Sequence, residues 1–280
     1  MEVRAKKNLG QHFLRDLGVA GKIAATISPA EVGERDGTLP VMEIGPGMGV
    51  LTRFLVEAGR DLTAVELDSE SVEYLHREMP DLRVVEGDFL KMDLDEIIPG
   101  QMALIGNYPY NISSQIFFKV LDYKDKIPLV SGMLQKEVAE RICAGPGGKV
   151  YGILSVLLQA WYDCEYLFSV PPGVFAPPPK VTSGVLRLRR NSRTDLGVAE
   201  KSFRLVVKTA FGQRRKTLRN SLGALMGAGN PIMQDEIMAL RPERLGVDDF
   251  IRLAKAYESR SANRAPSESG KAACDDTENL

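Results

Sequence analysis

The sequence predicts an α/β domain whose parallel sheet is covered by helices on both faces, followed by a small all-helical domain. Between about residues 38 and 190, short apolar runs alternate with helical patterns, which is typical of a parallel sheet. Glycines or acidic residues follow several of these runs, at the edge where such sheets bind ligands. Beyond residue 197 the periodicity is helical only.

The predicted strands of the parallel sheet are short and apolar. They cover residues 41–44, 62–66, 82–85 and 103–105. Apolar residues at helical spacing follow the first two strands, so we expect helices that return the chain to the same edge of the sheet. Leu134, Val138 and Ile142 also recur at helical spacing, which indicates that residues 133–141 are mainly architectural.

The pattern changes after residue 150. Residues 151–161 are predicted to form a helix, and residues 166–170 and 185–188 to form two strands. Proline clusters at 171–172 and 177–179 lie between these strands and cannot belong to a helix interior. We therefore expect an antiparallel edge on the sheet.

Three segments follow from these patterns. We predict a first domain over residues 1–190 and a helical domain over residues 191–260. Residues 261–280 are rich in Ser, Ala and acidic residues and are predicted to be a disordered tail.

The composition excludes several classes of protein. The formal net charge is −1, so any nucleic-acid surface must be local. Cys143, Cys164 and Cys274 are far apart and only two histidines are present, which argues against a zinc site, and no catalytic metal is indicated. Residues 1–13 are charged, and no apolar run approaches the roughly 20 residues of a membrane span. We expect a cytoplasmic protein without a signal peptide or a membrane anchor.

A glycine-rich loop predicts a cofactor site. Gly45, Gly47 and Gly49 follow the first strand and precede a helix, and glycine lets the backbone approach a ligand closely. A dinucleotide-binding loop would require glycine at position 50, where valine stands. Glu43 disfavours a pyrophosphate but is compatible with the cationic methionyl part of S-adenosylmethionine. The alternative is a tight turn without a ligand.

Two acidic residues follow the next strands. Glu66 ends the second strand, where an acid accepts hydrogen bonds from ribose hydroxyls. Asp88 follows the third strand and can accept a hydrogen bond from an adenine amino group. Either acid alone is explained as a helix cap or a solvated loop residue. Because both occur at successive strand ends, together with the glycine loop, we predict a nucleoside cofactor.

The fourth strand ends in a motif suited to adenine chemistry. The lone pair of adenine N6 is delocalised into the ring, so acceptors for both amino hydrogens would help it to react. Asn107 offers a side-chain oxygen and Pro109 a backbone carbonyl. Tyr110 offers a face for base stacking, worth about 1–3 kcal/mol. Positioning would be the main catalytic effect, and no strong general base is evident. The alternative is a β-turn with buried tyrosines.

Five motifs occur in the order typical of one family. They are residues 8–14, 107–113, 133–141, 175–181 and 213–220. With them the sequence closely resembles the ribosomal RNA adenine N6-dimethyltransferase family, bacterial small-subunit type, over residues 6–255. Two positions depart from the family pattern, because Tyr108 stands where leucine is usual and His12 where asparagine is frequent.

The resemblance implies a Rossmann-like class I methyltransferase domain and assigns several site residues. Those implied to line the S-adenosylmethionine site are His12, Leu14, Gly45, Glu66, Asp88 and Asn107. Phe175 is implied to stack on the target base opposite Tyr110, and residues 1–14 to form a lid. The implied reaction is N6,N6-dimethylation of two adjacent adenines in a loop near the 3′ end of 16S ribosomal RNA. The implied substrate is an immature 30S subunit, and we expect a monomer.

A basic stretch is the predicted RNA-facing surface. Residues 187–219 contain eleven Lys and Arg against two acids, and such clusters contact phosphates. If residues 203–219 form one helix, its basic residues share a stripe, whereas Gly212 is a possible break. A solvated helix face without RNA is the alternative. The candidate RNA-binding residues are Arg187, Arg204, Lys208, Arg214, Arg215, Lys216 and Arg219.

Two rival functions share these features. A large-subunit adenine dimethyltransferase that confers antibiotic resistance would have the same cofactor loop and the same Asn107–Tyr110 motif. The helical-domain motif and the triple proline at 177–179 favour the small-subunit type. The second rival is an assembly checkpoint factor in which binding matters more than methylation.

Overall fold

The computed structural model describes residues 5–6, 9–29 and 38–262, without the side chains of the last two. The predicted disordered tail lies outside these residues, apart from positions 261 and 262, which belong to the last helix. The chain divides into two compact units, Met1–Thr194 and Asp195–Leu280.

The first unit is built on strands and intervening helices. The strands are β1 (Phe13–Leu14), β2 (Val41–Ile44), β3 (Leu62–Glu66), β4 (Arg83–Glu86), β5 (Ala103–Gly106), β6 (Leu129–Gln135), β7 (Tyr162–Val170), β8 (Phe175–Ala176) and β9 (Ser183–Arg190). The α-helices are α1 (Leu17–Ala25), α2 (Val50–Glu57), α3 (Ser69–Glu78), α4 (Leu94–Ile97), α5 (Ser113–Asp122), α6 (Lys136–Cys143) and α7 (Ile153–Gln159).

Within the described ranges, seven strands form one mixed sheet in the order β4-β3-β2-β5-β6-β9-β7, and β1 pairs separately with β8. The strands from β4 to β6 are parallel, whereas β9 pairs antiparallel with both β6 and β7. The predicted α/β class and the antiparallel edge are therefore confirmed. Every residue of β2 is buried, as expected for a strand with helices on both faces.

The prediction that residues 133–141 are mainly architectural agrees with the burial of Leu134 and Ile142, but their helical spacing does not come from one helix. Leu134 is buried on strand β6, and the helix starts only at Lys136. That helix, α6, buries Ala139 and Ile142, while Val138 is half-buried. A strand buried on both faces is apolar throughout, so its period cannot be distinguished from that of a buried helix.

The second unit contains helices α8 (Glu200–Gly212), α9 (Leu218–Met226) and α10 (Val247–Ala262), with short 3₁₀ turns between α9 and α10. Phe203, Val207 and Phe211 are buried on α8, and Phe211 stacks on Phe250 of α10 at 5.8 Å between ring centroids. In the part of the chain that the structure describes, no helix has both the length and the apolar character that crossing a membrane requires.

Residues 203–219 do not form one continuous helix, and the break considered at Gly212 is confirmed. Helix α8 ends at Gly212, and the Lys216 amide donates to the Gln213 carbonyl in the turn that follows. Arg204 and Lys208 therefore lie on α8, whereas Arg215 lies in the turn. Glycine favours such a break because it loses more backbone entropy in a helix than other residues do.

Candidate active site

A cavity opens at the carboxyl edge of the sheet in the first unit. Its wall contains residues that follow β2, β3, β4 and β5, together with residues 9–13 near the amino terminus. Ligands bind at this edge of doubly wound sheets because several loops converge there. Six residues predicted for catalysis or cofactor binding line the cavity along with Asn107: His12, Gly45, Glu66, Asp88, Pro109 and Tyr110.

The glycine loop needs its glycines for geometric reasons. Gly47 and Gly49 have φ values of 57° and 72°, a region that L side chains rarely adopt. A Cβ atom on Gly47 would lie 2.9 Å from the ring of Phe13. Gly49 is the N-cap of α2, so the loop joins the cavity wall at Gly45 and Gly47 to the start of that helix.

The Glu66 carboxylate is held by main-chain donors. The Gly47 amide donates to Oε2 at 3.0 Å, and the Leu67 and Asp68 amides donate to Oε1 at 2.9 Å each. Burial raises the pKa of Glu66, while these hydrogen bonds oppose the rise. The carboxylate is thereby fixed on the cavity wall, and its remaining lone pairs are suited to accept hydrogen bonds from ribose hydroxyls.

Asp88 also lines the cavity and lies at the start of a turn. The Leu90 amide donates to its Oδ1 at 3.0 Å, and Lys91 Nζ lies 3.5 Å from Oδ2. Because the Gly87 amide donates to the Glu66 carbonyl at 2.8 Å, the ends of β3 and β4 are tied together. The two acids are therefore presented by adjacent loops.

The orientation of Asn107 follows from its hydrogen bond. Its Nδ2 donates to the main-chain carbonyl of His12 at 3.0 Å, so the side-chain oxygen is left to accept from a ligand. The Pro109 carbonyl accepts from the Ile112 amide at 3.2 Å and keeps a second lone pair. Tyr110 is half-buried, and its hydroxyl is hydrogen-bonded to the Ser183 hydroxyl.

Tyr108, which departs from the family pattern, points into the core. It is 1% exposed, and its hydroxyl donates to the Ser131 carbonyl at 2.7 Å. Its ring packs over Gly132, where a Cβ atom would lie 2.7 Å from Tyr108 Cε2 and 2.3 Å from the Gly106 carbonyl oxygen. Tyr108 thus anchors the Asn107–Tyr110 motif to the core through contacts with β5 and β6.

The amino-terminal segment, residues 9–13, lines the cavity and is held by contacts at both of its ends. On one side Lys6 bonds to the carboxylates of Asp68 and Glu70. On the other side β1 pairs with β8, and His12 Nδ1 hydrogen-bonds to the Pro177 carbonyl at 2.7 Å. Without the family resemblance the sequence would not reveal this arrangement, because a two-residue strand has no periodicity.

Two residues assigned to the site by resemblance lie elsewhere. Leu14 and Phe175 are partners across the β1–β8 pair; both are 4% exposed and belong to the hydrophobic core. Neither lines the cavity. The structure gives both side chains a packing role, which burial of apolar surface stabilises. Contact of either with a cofactor or a base stays a prediction.

The candidate RNA-binding residues are not equivalent. Arg187 lies on β9 with 13% of its side chain exposed, 2.8 Å from the Glu165 carboxylate, and it donates to the Thr26 carbonyl. In the second unit Arg215, Lys216 and Arg219 are exposed in and after the turn that follows α8. Arg187 therefore stabilises the sheet edge, and the turn is the stronger candidate surface.

The remaining candidates also lie in the second unit. On α8, Lys208 is exposed, while Arg204 is half-buried 3.9 Å from the Glu200 carboxylate. Arg214 is half-buried in the turn. Arg204 and Arg214 are therefore less accessible to phosphate than the exposed residues of the turn. Lys208 is accessible but lies on α8, outside the turn.

Comparison with known proteins identifies relatives along most of the chain. A family model described as ribosomal RNA adenine dimethylase matches residues 2–257. A ribosomal RNA small subunit methyltransferase A from Parabacteroides distasonis is 62% identical over 253 residues, 90% of this chain and 93% of that protein. The protein of the same name from Porphyromonas gingivalis is 58% identical, over 90% and 97% of the two chains.

Solved structures share the fold. A dimethyladenosine transferase from Plasmodium falciparum has a TM-score of 0.75 at 23% identity, covering 89% of this chain and 98% of that one. The 23S rRNA methyltransferase ErmE has a TM-score of 0.63 at 26% identity, covering 88% and 99%. The fold is that of class I methyltransferases. The chain therefore belongs to the ribosomal RNA adenine dimethylase family and is a methyltransferase that modifies ribosomal RNA.

Proposed function

We propose that the protein uses S-adenosylmethionine to dimethylate N6 of two adjacent adenines in a loop near the 3′ end of 16S ribosomal RNA. The orientation of Asn107 supports this most directly. The His12 carbonyl accepts a hydrogen bond from the Asn107 side-chain amide. The side-chain oxygen of Asn107 is therefore left as an acceptor in the same cavity as Glu66 and Asp88. A site for an amino group thus lies beside a site for a nucleoside.

The residues around the cavity fit the cofactor. Backbone without Cβ atoms at Gly45 and Gly47 provides the close approach that a methionyl group requires. Glu66 is suited to ribose hydroxyls and Asp88 to the adenine amino group. S-adenosylmethionine, when bound, supplies the methyl group from a positively charged sulfonium. The carboxylates of Glu66 and Asp88 are compatible with that positive charge.

The chain's own contribution to the reaction is positioning. The Asn107 side-chain oxygen and the Pro109 carbonyl accept hydrogen bonds from the two N–H groups of the target adenine amino group. These hydrogen bonds localise the lone pair on N6. Tyr110 stacks on the base, and its hydrogen bond to Ser183 fixes the ring. Alignment of this kind can supply several kcal/mol of the barrier.

The substrate we propose is an immature 30S subunit, bound by a monomer of this protein in the cytoplasm. The exposed cations Arg215, Lys216 and Arg219 provide phosphate contacts. The curated relatives are named as small-subunit methyltransferases, which favours this subunit over the 23S RNA named for ErmE.

The test uses purified protein, S-adenosylmethionine and small subunits that lack the modification. Mass spectrometry of the RNA should find dimethyladenine at two adjacent positions near the 3′ end of 16S RNA. Large subunits run in parallel test the rival substrate, and dimethyladenine there alone would overturn the proposal.

Two variants separate the assigned roles. Asn107→Ala should lower turnover more than cofactor affinity, whereas Glu66→Ala should do the reverse. Equal losses of both quantities in either variant would contradict the roles. If wild-type protein binds the cofactor but methylates neither subunit, the assembly checkpoint function takes precedence.

A further inference from the structure

Lys119 lies in the last turn of α5 and makes unusual contacts for a lysine. Its Nζ donates to the carbonyls of Leu90, at 3.2 Å, and Met92. The same atom lies 5.3 Å from the ring centroid of Phe89 and 5.5 Å from that of Tyr123. Its direct partners are thus two main-chain oxygens and the Phe89 ring on the segment after β4, together with the Tyr123 ring at the end of its own helix.

A half-buried ammonium group is costly to place, so its contacts merit an explanation. Burial lowers the pKa of Lys119, while the more distant charges of Asp88, Asp93 and Asp122 favour its charged form. Tyr123, the residue that follows the end of α5, donates to the Asp93 carboxylate at 3.2 Å. Side chains in and just after the last turn of α5 therefore hold successive parts of the same loop.

That loop forms one wall of the cavity. Gly87, Asp88, Phe89 and Leu90 all line it. Because the Leu90 amide donates to Asp88 Oδ1 and the Leu90 carbonyl accepts from Lys119, the main chain on the two sides of the Leu90 Cα atom links the lysine to the Asp88 carboxylate. A shift of the Leu90 main chain would therefore displace the carboxylate.

The helix that carries Lys119 also begins at the Asn107–Tyr110 motif. Helix α5 starts at Ser113, whose hydroxyl donates to the Tyr110 carbonyl at 3.3 Å. The Ile112 amide donates to the Pro109 carbonyl. One short helix thus joins the motif proposed to hold the target adenine to the loop proposed to hold the cofactor.

We propose that Lys119 is a positioning residue that holds Asp88 where it recognises the adenine amino group of the cofactor. The inference rests on the proposed function, because it assumes S-adenosylmethionine as the cofactor. Lys119 itself touches neither the cofactor nor the target base; it acts through the Leu90 and Met92 carbonyls.

Calorimetric titration with S-adenosylhomocysteine tests the proposal without RNA or turnover. Lys119→Met should raise the Kd about tenfold, the equivalent of about 1.4 kcal/mol, and Lys119→Arg should recover part of the loss. The matched control is Lys124→Met, because Lys124 is also largely buried but faces Trp161 and Asp125. Its Kd should stay within about twofold of wild type.

Three further measurements distinguish positioning of Asp88 from a merely structural role. Wild-type protein should prefer S-adenosylhomocysteine to S-inosylhomocysteine, which lacks the amino group, and Lys119→Met should lose most of that preference. In a double-mutant cycle, Asp88→Ala should cost little more affinity once Lys119→Met is present. Hydrogen exchange of the Leu90 amide should also quicken in Lys119→Met and give a readout if binding is too weak to measure.

The outcomes are distinguishable from failure of the proposed function. Unchanged affinity and preference in Lys119→Met, or full additivity with Asp88→Ala, would overturn the role of Lys119 alone. Absence of S-adenosylhomocysteine binding by wild-type protein would overturn the cofactor assignment and this inference with it.

Discussion

Glu43 is the next-to-last residue of β2, and its side chain is enclosed in the protein at 1% exposure. Its Oε2 has no hydrogen-bond partner among the described residues. Burial raises the pKa of Glu43 to about 8; the neighbouring Thr52 hydroxyl opposes the rise and the charge of Glu66 adds to it. The folded protein therefore holds this carboxyl group protonated near neutral pH.

Replacement of Glu43 should change how stability depends on pH. Below the ordinary carboxyl range both folded and unfolded chains are protonated, and between pH about 4.5 and 8 only the unfolded chain ionises. Glu43 therefore lowers stability progressively as pH rises through this window. Glu43→Gln should gain stability relative to wild type between pH 5 and pH 8, measured by urea unfolding.

The control for this prediction is Glu57→Gln. Glu57 lies on the exposed face of α2 in the same unit, so its replacement should shift the unfolding free energy equally at both pH values. An offset between Glu43→Gln and wild type that is the same at pH 5 and pH 8 would contradict the expected protonation of Glu43.

At the scale of the elements, the β1–β8 pair raises the question of whether Phe175 packs in the core or stacks on the target base. Because its ring is buried in the core, Phe175→Ala should lower the unfolding free energy by about 3–5 kcal/mol, as buried aromatic-to-alanine changes do. Leu17→Ala, at a side chain that is 60% exposed, should change it by less than about 0.5 kcal/mol. Lost methylation at unchanged stability would instead support base stacking by Phe175.

Sequence patterns within short windows predicted those strands and helices whose residues alternate or repeat within the window. Alternating apolar runs located β2 to β5, and the acids after β3 and β4 could be placed at one edge by topology alone. Strand β6 was missed because it is buried on both faces and runs directly into α6. The β1–β8 pair joins residues 161 and 163 positions apart, and nothing in the flanking sequence encodes that contact.

The same limit applies to side-chain partners within the candidate site. The sequence indicates Asn107 but not the His12 carbonyl that orients its amide. It also indicates a basic stretch, yet it cannot distinguish Arg187, which is held by Glu165, from the exposed Lys216. Both distinctions depend on tertiary contacts between distant segments.

For the whole molecule, charge distribution matters more than net charge. The chain is nearly neutral, yet Arg215, Lys216 and Arg219 are exposed close together in sequence. Reversing Arg215 and Lys216 to Glu should weaken binding to small subunits. It should also reduce the slope of log affinity against log salt by about 0.7 for each phosphate that the protein no longer neutralises. Filter binding over a salt series measures both quantities.

The matched control makes the same change in net charge elsewhere. Arg53 and Lys149 are exposed outside the basic stretch, and reversing both to Glu should leave the salt slope close to that of wild type. An equal reduction in both double variants would show that overall charge, rather than the turn after α8, governs RNA affinity.

The amino-terminal segment has a consequence for the timing of the two transfers. Two methyl groups on one adenine consume two cofactor molecules, so a spent one must leave the cavity before the second transfer. Residues 9–13 line that cavity and are fastened on one side by Lys6 and on the other by β1. If this segment is the lid that the family resemblance implies, cofactor exchange is no faster than its opening. The opening frequency would then set the shortest lifetime of a monomethylated adenine.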